Sequence, residues 1–400
     1  KYARASIKLE WSGLMAAAAE AGCPLIIGTA GTCGADAAVD WMLDITREIA
    51  VEQGWHPRIA VLRSGQDPAQ MAEAFEAGRI TPLPGAPEVD AESFRACTNI
   101  VALAGAEQVA AALDTGAEIV ICGRTTDTAI IAALPLQRGV DAGAAWHAAK
   151  IGECGALCAS NPQSGVLMVE FDDKGFVIHP LAEGAQATPH TVSAHMLYEN
   201  SDPFILHEPG GHLDVTGATY RALDDTRVHV SGAHWVPSDT YTAKLEGARI
   251  AGYQNVLMVL LRDGHYVANA QAWADDITAK CLEKAGQRLD AAPESYSIEL
   301  RLIGLNASFG DLEPRDTTPV EVGVMAIVTA ETAALADELG KMLNPYLLHH
   351  PLTREEEQPT FAFPFSPAEM PRGAVYEFAL HHVLELDDPM QAFSLEVVET

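Results

Sequence analysis

The stretch Pro24-Leu25-Ile26-Ile27-Gly28-Thr29-Ala30-Gly31-Thr32-Cys33-Gly34 decides the fold of this chain. Its apolar first part predicts a buried strand that ends in a loop with almost no side-chain bulk. A helical pattern begins near Asp36. A second stretch repeats the arrangement, because the apolar run 117–122 is followed by Gly123-Arg124-Thr125-Thr126-Asp127. Such loops leave backbone N–H groups bare at a helix N-terminus, where the helix dipole favours negative charge, so they predict a pocket for a small anionic molecule.

Strands and helices alternate around these two loops. The strands are continuous apolar runs, as expected of a parallel sheet whose two faces are both covered by helices. We therefore predict the α/β class, with a Rossmann-like parallel-sheet domain over residues 1–160 whose strand ends line a ligand crevice. The predicted strands are 24–28, 58–63, 99–104 and 117–122, and the predicted helices are 5–21, 36–52, 68–77, 106–115 and 126–134.

The remainder, residues 161–400, predicts an α+β domain. A hairpin at 166–180 turns at Asp172-Asp173-Lys174-Gly175. From about residue 250 to 390 the order is strand, helix, two strands, helix, strand, which is the split βαβ of a ferredoxin-like layer. Such a layer packs its sheet against the first domain or against another subunit, so we expect a homo-oligomer. Its predicted elements are strand 253–262, helix 269–288, strands 296–304 and 320–329, helix 331–343 and strand 375–386.

The chain is strongly acidic. Its 400 residues carry 25 Lys and Arg against 55 Asp and Glu, a formal net charge of −30. This charge repels nucleic acid and anionic membranes, so we expect neither as a partner, although an acidic salt-adapted surface is another reading. An anionic substrate then needs local donors such as Arg124, whose guanidinium suits a carboxylate or phosphate. Seven cysteines without a CxxC pair indicate reduced thiols and a cytoplasmic location.

A lysine and a glutamate provide the first proton-transfer candidates. Residues 144–158 predict one helix, on which His147, Lys150 and Cys154 share a face with Glu153 beside it. A Lys–Glu pair three residues apart is commonly a solvated ion pair. Here the neighbouring residues are small or apolar, which indicates a half-buried face and makes an active-site role an alternative.

The segment His207-Glu208-Pro209-Gly210-Gly211-His212-Leu213-Asp214 predicts a rigid loop that presents two carboxylates and two imidazoles. With His190, His195 and Glu199 nearby in sequence, a metal site is conceivable. The spacing matches no metal-ligand motif such as HExxH, so we predict no metal and no cofactor.

Several common catalytic motifs are missing. Gly28-x-x-Gly31-x-x-Gly34 is not the GxGxxG dinucleotide fingerprint, and neither a P-loop nor a GxSxG elbow occurs. Cys33 and Cys122 lie in or next to glycine turns near helix starts, where a thiol pKa can fall and produce a nucleophile. Packing of a small buried side chain is the other interpretation of both cysteines.

Long runs of this sequence resemble the acyclic terpene utilisation (AtuA-like) family: LIIGTAGTCGADAAVDWMLDI, VICGRTTDTAIIAALPL, AWHAAKIGECGALCA, AHMLYENSDPF, EPGGHLDV, VSGAHW, YTAKLEGARIAGYQ and EMPRGAVYEFALHHVLELDDP. The resemblance implies a bacterial-type catabolic protein linked to the breakdown of terpenes or other branched carboxylic acids. It also implies a small partner protein of about 100 residues, the size of one domain, and an N-terminal segment with the first strands of the sheet. The family's motifs coincide with Gly28–Gly34, Gly123–Asp127, Lys150–Gly155 and Glu208–Asp214.

The leading hypothesis is a hydro-lyase, a dehydratase or hydratase, that acts on a short hydroxy-carboxylate or its CoA thioester. Such chemistry needs donors for the carboxylate, a base for the α-proton and an acid for the departing hydroxide. One alternative is a cysteine-dependent hydrolase or acyl-CoA-processing enzyme, and another is a non-catalytic ligand-binding subunit of a two-component complex. The catalytic candidates are Lys150, Glu153, Asp127 and Glu208, and the substrate-binding candidates are Gly28, Thr29, Ala30, Gly31, Thr32, Cys33, Gly123, Arg124, Thr125, Thr126, Gly210 and Gly211.

Overall fold

The computed structural model describes residues 3–161, 165–315 and 317–399. It is a mixed α/β protein with several sheets, parallel and antiparallel. Two compact units are present: unit 1 comprises Lys1–Ala248 and Phe378–Thr400, and unit 2 comprises Arg249–Glu377. The predicted division after residue 160 falls inside unit 1, whereas unit 2 falls in the range predicted for the ferredoxin-like layer.

The elements of unit 1 are eight helices and most of the strands within the described residues. The helices are α1 (Arg4–Ala21), α2 (Asp36–Gln53), α3 (Pro68–Glu76), α4 (Ala91–Arg95), α5 (Ala106–Asp114), α6 (Ala129–Gln137), α7 (Ala142–Gly152) and α8 (Pro189–Ala194). The strands up to residue 237 are β1 (Leu25–Ile27), β2 (Arg58–Arg63), β3 (Gly65–Gln66), β4 (Ile80–Pro82), β5 (Asn99–Ala102), β6 (Ile119–Cys122), β7 (Ala159–Ser160), β8 (Leu167–Asp172), β9 (Gly175–Pro180), β10 (Gln186–Ala187), β11 (Ile205–Glu208), β12 (Gly211–Asp214), β13 (Thr219–Ala222), β14 (Val228–Ser231) and β15 (His234–Pro237).

The long strand β16 (Tyr241–Leu261) belongs to unit 1 up to Ala248 and to unit 2 beyond it. Unit 2 continues with α9 (Gly264–Ala268), α10 (Ala270–Arg288), β17 (Tyr296–Ile303), β18 (Val322–Ala330), α11 (Ala333–His349) and β19 (Met370–Phe378), and unit 1 ends with β20 (His382–Leu386) and β21 (Ser394–Glu399). No helix in the described ranges is long and apolar enough to cross a membrane.

The first sheet of unit 1 has the order β1-β6-β2-β21. β1, β6 and β2 run parallel, and β21 pairs antiparallel with β2 at the edge. Consecutive residues of β6 face opposite sides: Ile119 and Ile121 pack in one hydrophobic cluster, and Val120 and Cys122 in another. Both faces are covered by helices, which explains the continuous apolar run and confirms the parallel strands predicted at 24–28, 58–63 and 117–122.

The strand predicted at 99–104 forms as β5, but its place in the parallel sheet was wrong. β5 pairs antiparallel with β3 and with β16, in a second sheet of unit 1. Only an isolated parallel bridge, Ala104 to Thr125, joins its end to the loop after β6. A short apolar run identifies a strand without identifying its partner, because the partner here lies far along the chain.

Two predictions in the middle of the chain need correction. The helix predicted over 144–158 ends at Gly152, because Cys154 adopts a left-handed backbone with φ of 45° and a short 3-10 turn follows. The segment from His207 to Asp214 is not a loop but the hairpin of β11 and β12, with the two-residue turn Pro209-Gly210. Gly210 has φ of 80°, a conformation that L side chains rarely adopt, so this glycine permits the tight reversal. The hairpin predicted at 166–180 is confirmed as β8 and β9.

Unit 2 is one antiparallel sheet with two long helices. β18 lies between β17 and the second part of β16, and β19 also pairs with β16. The elements follow the predicted order of strand, helix, two strands, helix and strand, while the ferredoxin-like assignment stays a prediction. The strand predicted at 375–386 was wrong, because it is two strands, β19 in unit 2 and β20 in unit 1. Between them Ala379 N–H donates to the Gly247 carbonyl at 2.8 Å and Leu380 packs in the core of unit 1.

The glycine loop after β1 provides a test of backbone packing. Gly34 has φ of 64°, and a Cβ there would lie 2.3 Å from the Arg124 nitrogen; Gly54 has φ of 66° and open space around it. Gly54→Ala should therefore lower the free energy of unfolding only by the cost of holding alanine in a left-handed backbone conformation, about 1–2 kcal/mol. Gly34→Ala should cost about 1–3 kcal/mol more, because it adds overpacking. Urea unfolding of both variants measures the difference, and equal losses would contradict the packing argument.

Candidate functional site

The two glycine-rich loops lie against each other, because β1 and β6 are neighbouring strands. Ala30 N–H donates to the Cys122 carbonyl at 3.0 Å, and Thr125 N–H donates to Thr29 Oγ1 at 3.3 Å. A Cβ on Gly28 would lie 2.7 Å from Thr125 Oγ1. Glycine at position 28 therefore allows the two loops to pack closely. The role of the loop glycines in binding substrate stays a prediction.

Arg124 is not a free anion donor. Its Nε and Nη2 donate to the two carboxylate oxygens of Glu246 at 2.9 and 3.2 Å, and its Nη1 donates to Thr29 Oγ1 at 3.2 Å. Asp36 in the first turn of α2 already places a carboxylate at that helix N-terminus. Glu246 thus largely neutralises the positive charge of Arg124, and Asp36 offsets the positive end of the dipole of α2. Glu246 lies 122 residues from Arg124, so no local pattern could have revealed the pair.

A buried ion pair stands at the end of α7. Lys150 is 2% exposed; its Nζ donates to Glu153 Oε1 and, at 2.8 Å, to the Tyr198 carbonyl. Burial raises the pKa of Glu153, the hydrogen bond and charge of Lys150 lower it, and the charges of Asp127 and Glu199 raise it. The structure therefore brings the candidates Lys150, Glu153 and Asp127 within electrostatic reach of one another.

Glu208, the last residue of β11, completes this group. Its Oε1 accepts a hydrogen bond from the Thr128 hydroxyl, and its buried Oε2 has no hydrogen-bond partner among the described residues. Burial raises the pKa of Glu208 to about 7; the charge of Glu153 raises it as well, and that of Lys150 lowers it. All four proton-transfer candidates thus form one cluster, in which Glu208 exchanges its proton near neutral pH.

Four residues at this cluster, His195, Tyr198, Cys154 and Glu199, were not among the predicted site residues. His195 is buried, its Nε2 lies 2.8 Å from the Glu153 carbonyl, and burial lowers its pKa. Interactions with Cys154 and Glu199 raise the pKa of Tyr198. Both Cys154 and Glu199 have left-handed backbones, with φ of 45° and 48°. Strained non-glycine residues gather at functional sites, and this strain is invisible in sequence.

His147 does not belong to the cluster. It packs edge-on against Phe176 and Tyr220, and burial lowers its pKa to about 3. The expectation that Cys154 shares the helix face of His147 and Lys150 was wrong, because the helix ends at Gly152, before Cys154. His147 is a neutral core residue of unit 1.

A cavity of about 770 Å³ opens beside Glu208 in unit 1. Four predicted site residues line it, namely Thr126, Glu208, Gly210 and Gly211, together with residues that the sequence did not single out for the site, among them Leu83, Leu103, His207, His212, Thr242, Lys244 and Val383. Glu208 thus joins the cavity to the acid–base cluster. A second hollow of about 680 Å³, near the amino ends of β1 and β6, is lined by none of the predicted site residues.

The cysteine candidates separate in the structure. Cys122 is fully buried at the end of β6, and burial raises the pKa of its thiol to about 12, which disfavours a thiolate nucleophile. Cys33 is exposed. Within residues 3–161, 165–315 and 317–399, no group of three or more His, Cys, Asp and Glu side chains is arranged to hold a metal ion.

Fold and site together define a mixed α/β protein in which Glu208, one member of an acid–base cluster, lines a cavity of about 770 Å³. Residues 9–376 match the family described as acyclic terpene utilisation family protein AtuA. The chain belongs to this family, as the sequence resemblance predicted. Comparison with curated proteins gave no match, and neither did comparison with solved structures.

The raised pKa of Glu208 predicts a pH dependence of stability. The pKa is 4.5 in an unperturbed chain and about 7 in the folded protein, so between these values the folded state holds the proton more tightly. The free energy of unfolding therefore falls as pH rises through this range, by about 1.4 kcal/mol per unit of pKa shift. In the wild type, the titration of Glu208 should lower the free energy of unfolding by roughly 2–3 kcal/mol between about pH 5 and about pH 8. In Glu208→Gln this contribution should be absent, because glutamine does not titrate.

Urea unfolding at the two pH values measures this difference. Glu246→Gln is the matched control, since Arg124 and Lys244 lower the pKa of Glu246 and place its titration below the range. That variant should retain the fall seen in the wild type. An equal fall in Glu208→Gln would show that Glu208 is already ionised at low pH.

Proposed function

We propose that this protein is a catabolic enzyme of carboxylic acid breakdown, a hydro-lyase acting on a short hydroxy-carboxylate or its CoA thioester. The observation that carries the proposal is Glu208, a cavity-lining residue whose carboxyl group has its pKa raised by burial to about 7 and whose buried Oε2 has no hydrogen-bond partner among the described residues. Membership in the AtuA family supports the catabolic part of the proposal.

Dehydration requires two proton transfers on neighbouring carbons. Protonated Glu208 donates its proton to the departing hydroxyl group, which leaves as water when the C–O bond breaks. Glu153, held by Lys150, accepts the α-proton, and the electrons of that C–H bond form the new double bond. Glu153 is ion-paired with Lys150, and its charge raises the pKa of Glu208, so Glu153 is the base and Glu208 the acid of this proposal. Asp127 is the other candidate for the base.

We also propose that the first sheet is Rossmann-like and that unit 2 is ferredoxin-like. Three parallel strands covered on both faces support a Rossmann-like description of the first sheet. The order β17-β18-β16-β19 supports a ferredoxin-like description of unit 2. The proposed enzyme works in the cytoplasm as a homo-oligomer, as the cysteine pattern and the ferredoxin-like layer predict, with the small partner protein that the family resemblance implies.

An exchange assay tests the proton-transfer cluster. In deuterated water, the wild type should exchange the α-proton of 3-hydroxybutanoate, of 3-hydroxy-3-methylbutanoate or of their CoA thioesters, as followed by mass spectrometry. Glu208→Gln and Glu153→Gln should each slow exchange or turnover about 10²–10⁴-fold, the range of general acid–base catalysis. Glu92→Gln, an exposed carboxylate of α4, serves as the control and should leave the rate unchanged.

Unchanged rates in both cluster variants would exclude this mechanism. Loss of wild-type activity after treatment with iodoacetamide, together with an inactive Cys33→Ala variant, would instead favour the cysteine-dependent alternative. An isolated chain that binds these acids without exchange, with or without added partner, would favour a ligand-binding subunit.

A further inference from the structure

We propose that Lys244 anchors the carboxylate of the substrate in the cavity, and that the substrate is a free short hydroxy acid rather than a CoA thioester. The inference rests on the proposed function, since it selects between the two substrate classes named there. Lys244 is not among the residues that the sequence indicated.

The strand β16 directs Lys244 into the cavity. Thr242, Lys244 and Glu246 alternate with the fully buried Ala243 and Leu245, so the three polar residues share one face of the strand. Thr242 and Lys244 line the cavity. An ammonium group and a hydroxyl group therefore stand side by side on one wall.

Lys244 shares its carboxylate partner, Glu246, with Arg124. Arg124 takes both oxygens of Glu246, at 2.9 and 3.2 Å, whereas Lys244 Nζ lies 3.4 Å from one of them. Two cations thus share one carboxylate. The Lys244 side chain is 36% exposed, so its ammonium group can reach a ligand. A carboxylate bound in the cavity would give Lys244 a closer partner than the shared Glu246.

The remaining lining residues argue against a CoA thioester. Lys244 is the one lysine or arginine lining the cavity in the described part of the chain, and Asp239 and Glu208 line it too. CoA carries several phosphate charges, which need several cations or a helix N-terminus for binding. A single ammonium group matches a single carboxylate.

The cavity also provides an apolar surface for the carbon chain. Leu83, Leu103 and Val383 line it, and its volume of about 770 Å³ lies within the range of small-molecule sites. A short branched acid with its carboxylate at Lys244 can therefore present its hydroxyl group to Glu208, which lines the same cavity. Lys244 then binds the carboxylate of the substrate, and Glu208 donates the proton.

Binding measurements test the anchor independently of catalysis. Isothermal titration of the full chain with 3-hydroxy-3-methylbutanoate should show affinity about 10–100-fold weaker in Lys244→Gln, the loss expected for a charge-assisted hydrogen bond. Lys244→Arg should bind within a few-fold of the wild type. Lys174→Gln, which removes an exposed lysine of the β8–β9 turn, should bind as the wild type does.

Two ligands sharpen the test. The methyl ester of the same acid lacks the charge, so Lys244→Gln should bind it as well as the wild type does. The CoA thioester should bind no more tightly than the free acid. Equal affinity of wild type and Lys244→Gln for the free acid, or tighter binding of the CoA thioester than of the acid, would overturn the inference.

The anchor and the proposed function can fail separately. If Lys244→Gln loses binding while Glu208→Gln keeps full exchange activity, the carboxylate anchor stands and the hydro-lyase mechanism is excluded. If Glu208→Gln loses exchange while Lys244→Gln still binds the free acid normally, the mechanism stands and the anchor is overturned.

Discussion

The close approach of the loop after β1 to the loop after β6 is the constraint on which the site depends. At Gly34 a side chain would collide with the backbone of Arg124, and at Gly28 with Thr125. This contact fixes the segment that runs from Gly123 to Thr128. That segment in turn directs Arg124 toward Glu246 and places Thr128 where its hydroxyl meets Glu208. Glycine is required here for packing, and the chemistry is supplied by the side chains that this packing positions.

The second determinant is the buried pair of Lys150 and Glu153. Moving two charges out of water costs several kcal/mol per ion, so such a pair persists only with good geometry and further hydrogen bonds. Lys150 has these, since it also donates to the Tyr198 carbonyl. The pair keeps a charged group next to Glu208, whose own burial favours the neutral acid. One small region thus holds a glutamate paired with a lysine and a carboxyl group whose pKa burial raises to about 7.

Local sequence patterns predicted the helices and strands of this region better than they predicted which strands pair with each other. The apolar runs at 24–28, 58–63 and 117–122 identified strands that are parallel neighbours, because continuous apolar runs require two covered faces. The same reasoning placed 99–104 in the wrong sheet, since a short apolar run does not say which strand it joins. The helix predicted over 144–158 was too long, because no residue type in that segment indicates the left-handed backbone of Cys154.

Sequence alone determined the family, the strand-ending glycine loops and the four carboxylate and lysine candidates, because these follow from residue type and spacing along the chain. Tertiary structure decided what those residues do. It paired Arg124 with Glu246, gathered Glu208 with a lysine and a glutamate more than 50 residues away, and left Lys244 facing a cavity. The physical reason is that pKa and net local charge depend on burial and on through-space neighbours, and the neighbours that matter here are separated by long stretches of chain.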